Sequence, residues 1–143
     1  MTQLQRYPIQ TQCFGQIEYC PNPQHRNSNP NKSQWTIDIP SELESFQTMD
    51  QQEWNENQTG WGLYFNEYGS ISYLGTLPRN RAEVFIAKFV CDVAHGLWHG
   101  YPADYQSNIQ DVPHKEVIFE WVQDEILSRA KARKILKGQP CKI

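Results

Sequence analysis

The stretch NRAEVFIAKFVCDVAHGL, Asn80 to Leu97, decides how the rest of the chain is read. Ala82, Phe85, Ile86, Phe89, Val90, Val93 and Leu97 recur at three- and four-residue intervals, which one face of a helix gathers into a broad apolar stripe. Asn80 is a good N-cap, and Glu83 stands three residues on at the capping-box position. Gly96 or Gly100 supplies a stop. The spacing predicts a helix over 80–97. Turning each residue by about 100° places Lys88, Cys91, His95 and, where the helix continues, His99 on the side away from the stripe. The 88–99 helix is thus the chemically loaded part of the chain.

Toward the N-terminus the pattern changes. Tyr7, Ile9, Ile17 and Tyr19 alternate in part around Gly15, the mark of one or two strands. PNPQHRNSNPNKS (21–33) carries three prolines and almost nothing apolar, so it reads as a loop. Trp35, Ile37 and Ile39 alternate as a short strand over 34–39. Ser41 and Glu44 form a second capping box, which opens a helix with Leu43, Phe46 and Met49 inward. Trp61–Phe65 and Ser70–Leu74 read as a hairpin turning at Glu67-Tyr68-Gly69, with Gly69 at positive φ.

Beyond Leu97 an aromatic loop runs from His99 to Val112. Pro113 opens a helix with Val117, Ile118, Trp121 and Val122 inward. Ser128 opens a last short helix with Ile135 and Leu136 inward, stopped by Gly138 and Pro140. Strands come mostly first and helices last. The expected fold is α+β, a small antiparallel sheet from the N-terminal half packed against C-terminal helices, in a single domain over 1–143.

Composition narrows the function classes. A chain of 143 residues can bury a core without disulfide or metal staples. Charged residues are 20% and aromatics 13%, with five Trp and seven Tyr, so the core leans on aromatic rings. A net charge of −3 gives no general attraction to nucleic acid or anionic membranes. The charge is polarised, however. Arg129, Lys131, Arg133, Lys134, Lys137 and Lys142 crowd the last segment, and no acid follows Glu125. No apolar run approaches the ~20 residues of a membrane span, and the first residues lack the apolar region of a secretory signal. Four cysteines at irregular spacing then read as reduced thiols, with the cytoplasm as the expected compartment and a bacterial source in keeping.

Three groups of residues carry candidate chemistry. Cys91 and His95, four apart on a helix, would meet as thiol and imidazole, with Lys88 favouring the thiolate; they are the catalytic candidates. Structural burial of both is the commoner outcome for such residues. Cys91, His95 and His99 form an i, i+4, i+8 row that zinc would accept, completed by Cys13, Cys20, His25, His114 or Cys141. Neither HExxH nor CxxC is present, so no cofactor is expected beyond that zinc option. Trp98, His99, Tyr101, Asp104 and Tyr105 have the composition of a protein-contact loop, and equally that of a cap on the core. Arg129, Arg133 and Lys134 extend the contact candidates into the basic tail.

No phosphate-binding loop or nucleophile elbow occurs; Gly60-Trp61-Gly62 lacks the Lys-Ser/Thr that would give it meaning. The leading expectation is a small protein-interaction module, an inhibitor or immunity-type protein or a subunit of a multi-protein assembly, whose partner is another protein. The resemblance in profile to such proteins is one of analogy. The alternative is a Cys/His enzyme or zinc protein centred on Cys91, His95 and His99. A weaker one is nucleic-acid binding through the tail, where phosphate contacts would make affinity salt-dependent.

Overall fold

The computed structural model describes residues 5–11 and 15–143; Cys13 lies outside them. Eleven strands and three α-helices are formed among the described residues. The α+β fold expected from the order of elements is the one observed. Strands β1 (Tyr7–Thr11) and β2 (Gly15–Tyr19) form a hairpin in register Tyr7↔Tyr19 and Ile9↔Ile17. Helix α1 (Ile39–Gln51) follows a short strand, β3 (Gln34–Trp35). Then come β4 (Asn55–Glu56), β5 (Thr59–Gly62), β6 (Tyr64–Phe65), β7 (Ile71–Ser72), β8 (Gly75–Thr76) and β9 (Glu83–Val84). Strands β10 (Ala87–Asp92) and β11 (Leu97–Pro102) precede α2 (Lys115–Gln123) and α3 (Arg129–Leu136).

The helix expected over 80–97, and with it the 88–99 helix, is not there. Strand β10 runs into β11 through a turn at 93–96. The apolar spacing was compatible with both states because β10 is buried on both faces. A strand covered twice loses its polar alternation and reads as a continuous apolar run. Residue type tips the balance: Val84, Phe85, Ile86, Phe89 and Val90 are β-branched or aromatic, and such side chains pack well on a pleated surface. Asn80 does accept a backbone N–H, but from Ala82 in a turn, and Glu83 pairs with Thr76 in the sheet.

The hairpin turn is specified locally. The Asp92 carboxylate accepts from the Ala94 amide at 3.1 Å, His95 N–H donates to the Asp92 carbonyl at 3.2 Å, and Gly96 takes φ +60°. An aspartate opening the turn and a glycine at positive φ closing it are the chemistry a tight hairpin requires.

Six strands form the main sheet in the order β1-β2-β11-β10-β5-β4, antiparallel except where β11 runs parallel to β2. The middle of this sheet is therefore the ribbon from the second half of the chain. Two smaller sheets, β3-β8-β9 and β6-β7, flank it. The second is the tip of the expected hairpin, with Gly69 at φ +76°, whereas Trp61 and Gly62, expected in the same hairpin, belong to β5 and pair with β10 in the main sheet.

Pairing registers assign the two faces. Ala87, Phe89 and Cys91 lie opposite Pro102, Gly100 and Trp98 on the face that meets α1; Lys88, Val90 and Asp92 lie opposite Tyr101, His99 and Leu97 on the other. Phe46 of α1 sits edge-on to Phe89 at 5.4 Å and tilted on Tyr19 at 4.8 Å. Gly100 makes room for this stack: a Cβ there would stand 2.5 Å from Phe89 Cε1 and 2.7 Å from the Tyr19 hydroxyl.

Helix α1 begins one turn earlier than the capping box suggested. Asp38 is its N-cap, accepting from the Ser41 amide at 2.9 Å, and Ile37 and Ile39 are not part of a strand. Phe46 and Met49 are buried as expected, and so is Glu42. Tyr19 donates its hydroxyl to Glu42, and Arg26 donates Nε and Nη2 to the same carboxylate at 3.0 and 2.8 Å. Burial pushes the Glu42 carboxyl up, and the Tyr19 and Arg26 hydrogen bonds pull it back. One acid thereby ties β2, α1 and the 21–33 loop together.

Helices α2 and α3 pack on each other. Val117, Ile118 and Trp121 of α2 and Ala132 and Ile135 of α3 are buried, and Trp121 meets Trp54 edge-on at 5.6 Å. Ser128 caps α3 as expected, accepting from the Lys131 amide, but Leu136 faces outward. No helix among the described residues is long and apolar enough to cross a membrane.

Candidate functional site

The strand pair disperses the Cys/His group. Cys91 is half-buried on the α1 face opposite Trp98, whereas His99 projects from the other face opposite Val90. His95 stands at the exposed turn, its Nδ1 2.8 Å from Asp92 Oδ2. Lys88 is on the face opposite Cys91. Burial, with the Asp92 charge adding to it, raises the Cys91 thiol. That is the reverse of what nucleophilic activation needs. Cys20 is buried near β2, Cys141 lies in the C-terminal segment, and among the described residues no three His, Cys, Asp or Glu side chains converge as a metal site.

The aromatic loop is gathered instead around an acid that sequence reasoning passed over, Asp111. It is 4% exposed and sits in a single 3-10 turn, Ile109–Asp111. Its Oδ1 accepts from the Tyr101 hydroxyl at 2.8 Å and from Lys88 Nζ at 3.4 Å; its Oδ2 accepts from the Asp104 amide at 3.1 Å. Lys88, 8% exposed, also donates to the Gln110 carbonyl at 2.6 Å, and the Trp61 indole donates to the Asp111 carbonyl at 3.2 Å. The 104–112 loop is thus riveted to one face of the sheet. Burial first, then the Asp111 hydrogen bond, pushes the Tyr101 hydroxyl well above the ordinary tyrosine range.

His25 stacks on Tyr101 with ring centroids 5.2 Å apart, and its Nδ1 is 2.8 Å from the Ser33 carbonyl. Trp98 is half-buried against Phe46 at 5.4 Å. Tyr105 donates its hydroxyl to the Gln139 carbonyl at 2.8 Å, and the Asp104 side chain accepts from the Ser107 amide. Trp98, Tyr101 and Tyr105 therefore cap the core, and Asp104 holds loop amides.

The basic candidates behave differently. Arg129, Arg133 and Lys134 are exposed on α3 and form no ion pair with a described residue. Arg129 and Arg133 stand on the rim of a groove of about 420 Å³ between α2 and α3, floored by Phe119, Val122, Ala132 and Leu136. Phe119 is 54% and Leu136 38% exposed, on helices whose other faces are buried. Phe119 was not singled out from the sequence. Its signal was there: it stands three residues before Val122, out of phase with the buried Ile118 and Trp121, which marks a second apolar stripe.

Compared with protein-family models, with curated proteins and with solved structures, the chain matches none of them.

Proposed function

We propose that this chain is a protein-interaction module whose α2–α3 groove receives an acidic, amphipathic segment of another protein. The observation that carries the reading is the coincidence of an open apolar floor with unpaired arginines on its rim. Burying a phenylalanine side chain fully stabilises by roughly 1.5–3 kcal/mol, and aromatic and arginine side chains dominate binding energy at interfaces. An amphipathic helix laid in a groove supplies both matching surfaces, leucine-like anchors for the floor and carboxylates for the guanidinium forks. A nucleic-acid strand would satisfy the cations but leave Phe119, Val122 and Leu136 in water. Inhibitors and assembly subunits both act through surfaces of this kind. A cytosolic location accompanies the reading, supported by three free thiols among the described residues.

The test is a titration of the labelled protein with a designed Leu/Glu amphipathic helix and with its Leu/Lys counterpart, followed by amide chemical shifts. The acidic peptide should move the signals of residues 119–136 saturably, and the basic peptide should not. Phe119→Ser and Arg133→Glu should each weaken the acidic peptide about tenfold. Equal response to both peptides, or undiminished binding by Phe119→Ser, would remove the reading.

A further inference from the structure

A second concavity lies on the Asp111 side of the sheet, away from the α2–α3 groove and independent of it. It is a cleft of about 330 Å³ between the end of the 21–33 loop, the end of β11 and the 104–111 loop. Its walls include His25, Asn31, Lys32, Asp104, Asn108 and Gln110. The volume is at the small end of the range for small-molecule sites.

The state of His25 sets the chemistry. A carbonyl oxygen only accepts, so the 2.8 Å contact with Ser33 O puts the ring proton on Nδ1. Nε2 then carries the lone pair. Burial lowers the proton affinity of the ring and keeps it neutral; His25 is only 8% exposed. Nε2 has no hydrogen-bond partner among the described residues and is not sealed from solvent. Tyr101, Lys88 and Asp111 are committed to one another. What remains free is the Nε2 acceptor, the side-chain amides of Asn31, Asn108 and Gln110, the Lys32 ammonium, and one oxygen of Asp104, whose Oδ1 accepts from Ser107.

This set mixes donors and acceptors, and its one cation and one carboxylate offset each other. Two further considerations narrow the ligand. The lining holds no three His, Cys, Asp or Glu converging on a point, which a metal would need. Carboxamides present a donor and an acceptor side by side, and a hydroxyl, donor and acceptor at one atom, answers both.

We propose that the cleft binds a small, neutral, polyhydroxylated molecule of one or two sugar rings, with His25 Nε2 accepting one ligand hydroxyl. The carboxamides of Asn108 and Gln110 bridge adjacent hydroxyls. Protonating His25 removes its acceptor, so affinity falls when pH drops below the ring's depressed value. The charged and titratable groups around the ring are Lys32, Asp111 and Tyr101, with Lys88 and Asp104 behind them.

The experiment titrates the full chain with D-glucose, D-galactose, D-ribose and maltose, and separately with inorganic phosphate and acetate. Amide shifts and the long-range proton–nitrogen spectrum of the imidazoles are followed. The expected result is saturable shifts of residues 25–33 and 101–111 by at least one sugar, with a Kd on the order of 1 mM and a change at His25 Nε2. The double variant Asn108→Ala/Gln110→Ala, which removes only free side chains, should bind about tenfold more weakly with an unchanged melting temperature. Absence of any saturable sugar response overturns the proposal, as does equal binding by the double variant. Tighter binding of phosphate or acetate than of every sugar overturns the assignment of a neutral ligand.

Discussion

Replacing Asp111 by alanine should cost about 3–4 kcal/mol, because it strands a buried cation. Lys88 Nζ is 3.4 Å from Asp111 Oδ1, with both residues almost wholly buried, and its other partner is one neutral carbonyl, that of Gln110. Breaking a buried ion pair by deleting one member typically costs about 3–5 kcal/mol. The Tyr101 hydroxyl and the Asp104 amide belong to half-buried residues, so water recovers them and adds little. Total stability for such a domain is on the order of 5–15 kcal/mol, so the loss is large but survivable. With a urea slope near 2 kcal/mol/M the unfolding midpoint should fall by about 1.5–2 M. Lys88→Met alone should cost only about 1–2 kcal/mol, since Asp111 keeps the hydrogen bonds from Tyr101 and the Asp104 amide. Combining Lys88→Met with Asp111→Ala removes the stranded charge and should cost clearly less than the sum. Tryptophan fluorescence follows all three, because the Trp61 indole donates to the Asp111 carbonyl. A cost below about 1 kcal/mol for Asp111→Ala, or strict additivity in the double variant, would refute the claim that a buried charge pair holds this loop.

Gly100→Ala should destabilise by about 1–3 kcal/mol in the same assay, because the new methyl meets the Phe89 ring and the Tyr19 hydroxyl. Alkali should unfold the protein earlier than free tyrosine behaviour suggests. Tyr19 and Tyr101 are raised above the ordinary value, and burial lifts Tyr105 to about 12. Unfolded tyrosines lose their protons near pH ~10 while these hold theirs, so stability is complete below that pH and lost as it rises. Phenolate absorbance should therefore appear for these rings together with loss of structure, and a phenolate signal preceding unfolding would contradict this. On the acid side, His25 is depressed by burial, so its contribution is complete above about pH 6.5 and lost as pH falls through the folded value. Denaturation midpoints of the native chain and a His25→Gln variant should converge on acidification. Phe119→Ser should leave stability within about 0.5–1 kcal/mol of the parent, as expected of a side chain more than half in water.

The elements legible in the sequence were those whose signals were local. Ser128 as a cap with Ile135 inward gave α3, although Leu136, also expected inward, faces solvent, and Gly69 gave the β6–β7 turn. Val117, Ile118 and Trp121 gave the buried face of α2. The stretch from Asn80 to Leu97 was not legible because its environment is not local. Whether apolar residues recurring at three and four form a helix or a doubly covered strand depends on whether another layer lies on the second side. Here Phe89 is covered by α1, and Lys88 by the 104–112 loop, two segments distant in sequence and from opposite directions. Besides the β-branched and aromatic residue types, a local clue was Asp92 followed four residues later by Gly96, a hairpin turn placed near the end of the supposed helix.

The same misreading explains what happened to the candidate chemistry. On a helix, Cys91, His95 and His99 share a face; on a hairpin, residues before and after the turn alternate between faces, and the turn residue belongs to neither. The change of period from 3.6 to 2 therefore dissolves one site and assembles another. Lys88 and Tyr101 become cross-strand neighbours on one face, and a cross-strand pair of a cation and a phenol calls for an acid between them. Asp111 meets that need, and in doing so fixes the loop that walls the His25 cleft. The polar core of this protein is thus a consequence of strand register: a one-residue slip of β11 against β10 would put Tyr101 among the rings under α1 and leave Lys88 and Asp111 without it. Gly100 blocks that slip. Only a glycine fits opposite Phe89, so the register that packs the aromatic core is also the register that builds the cleft.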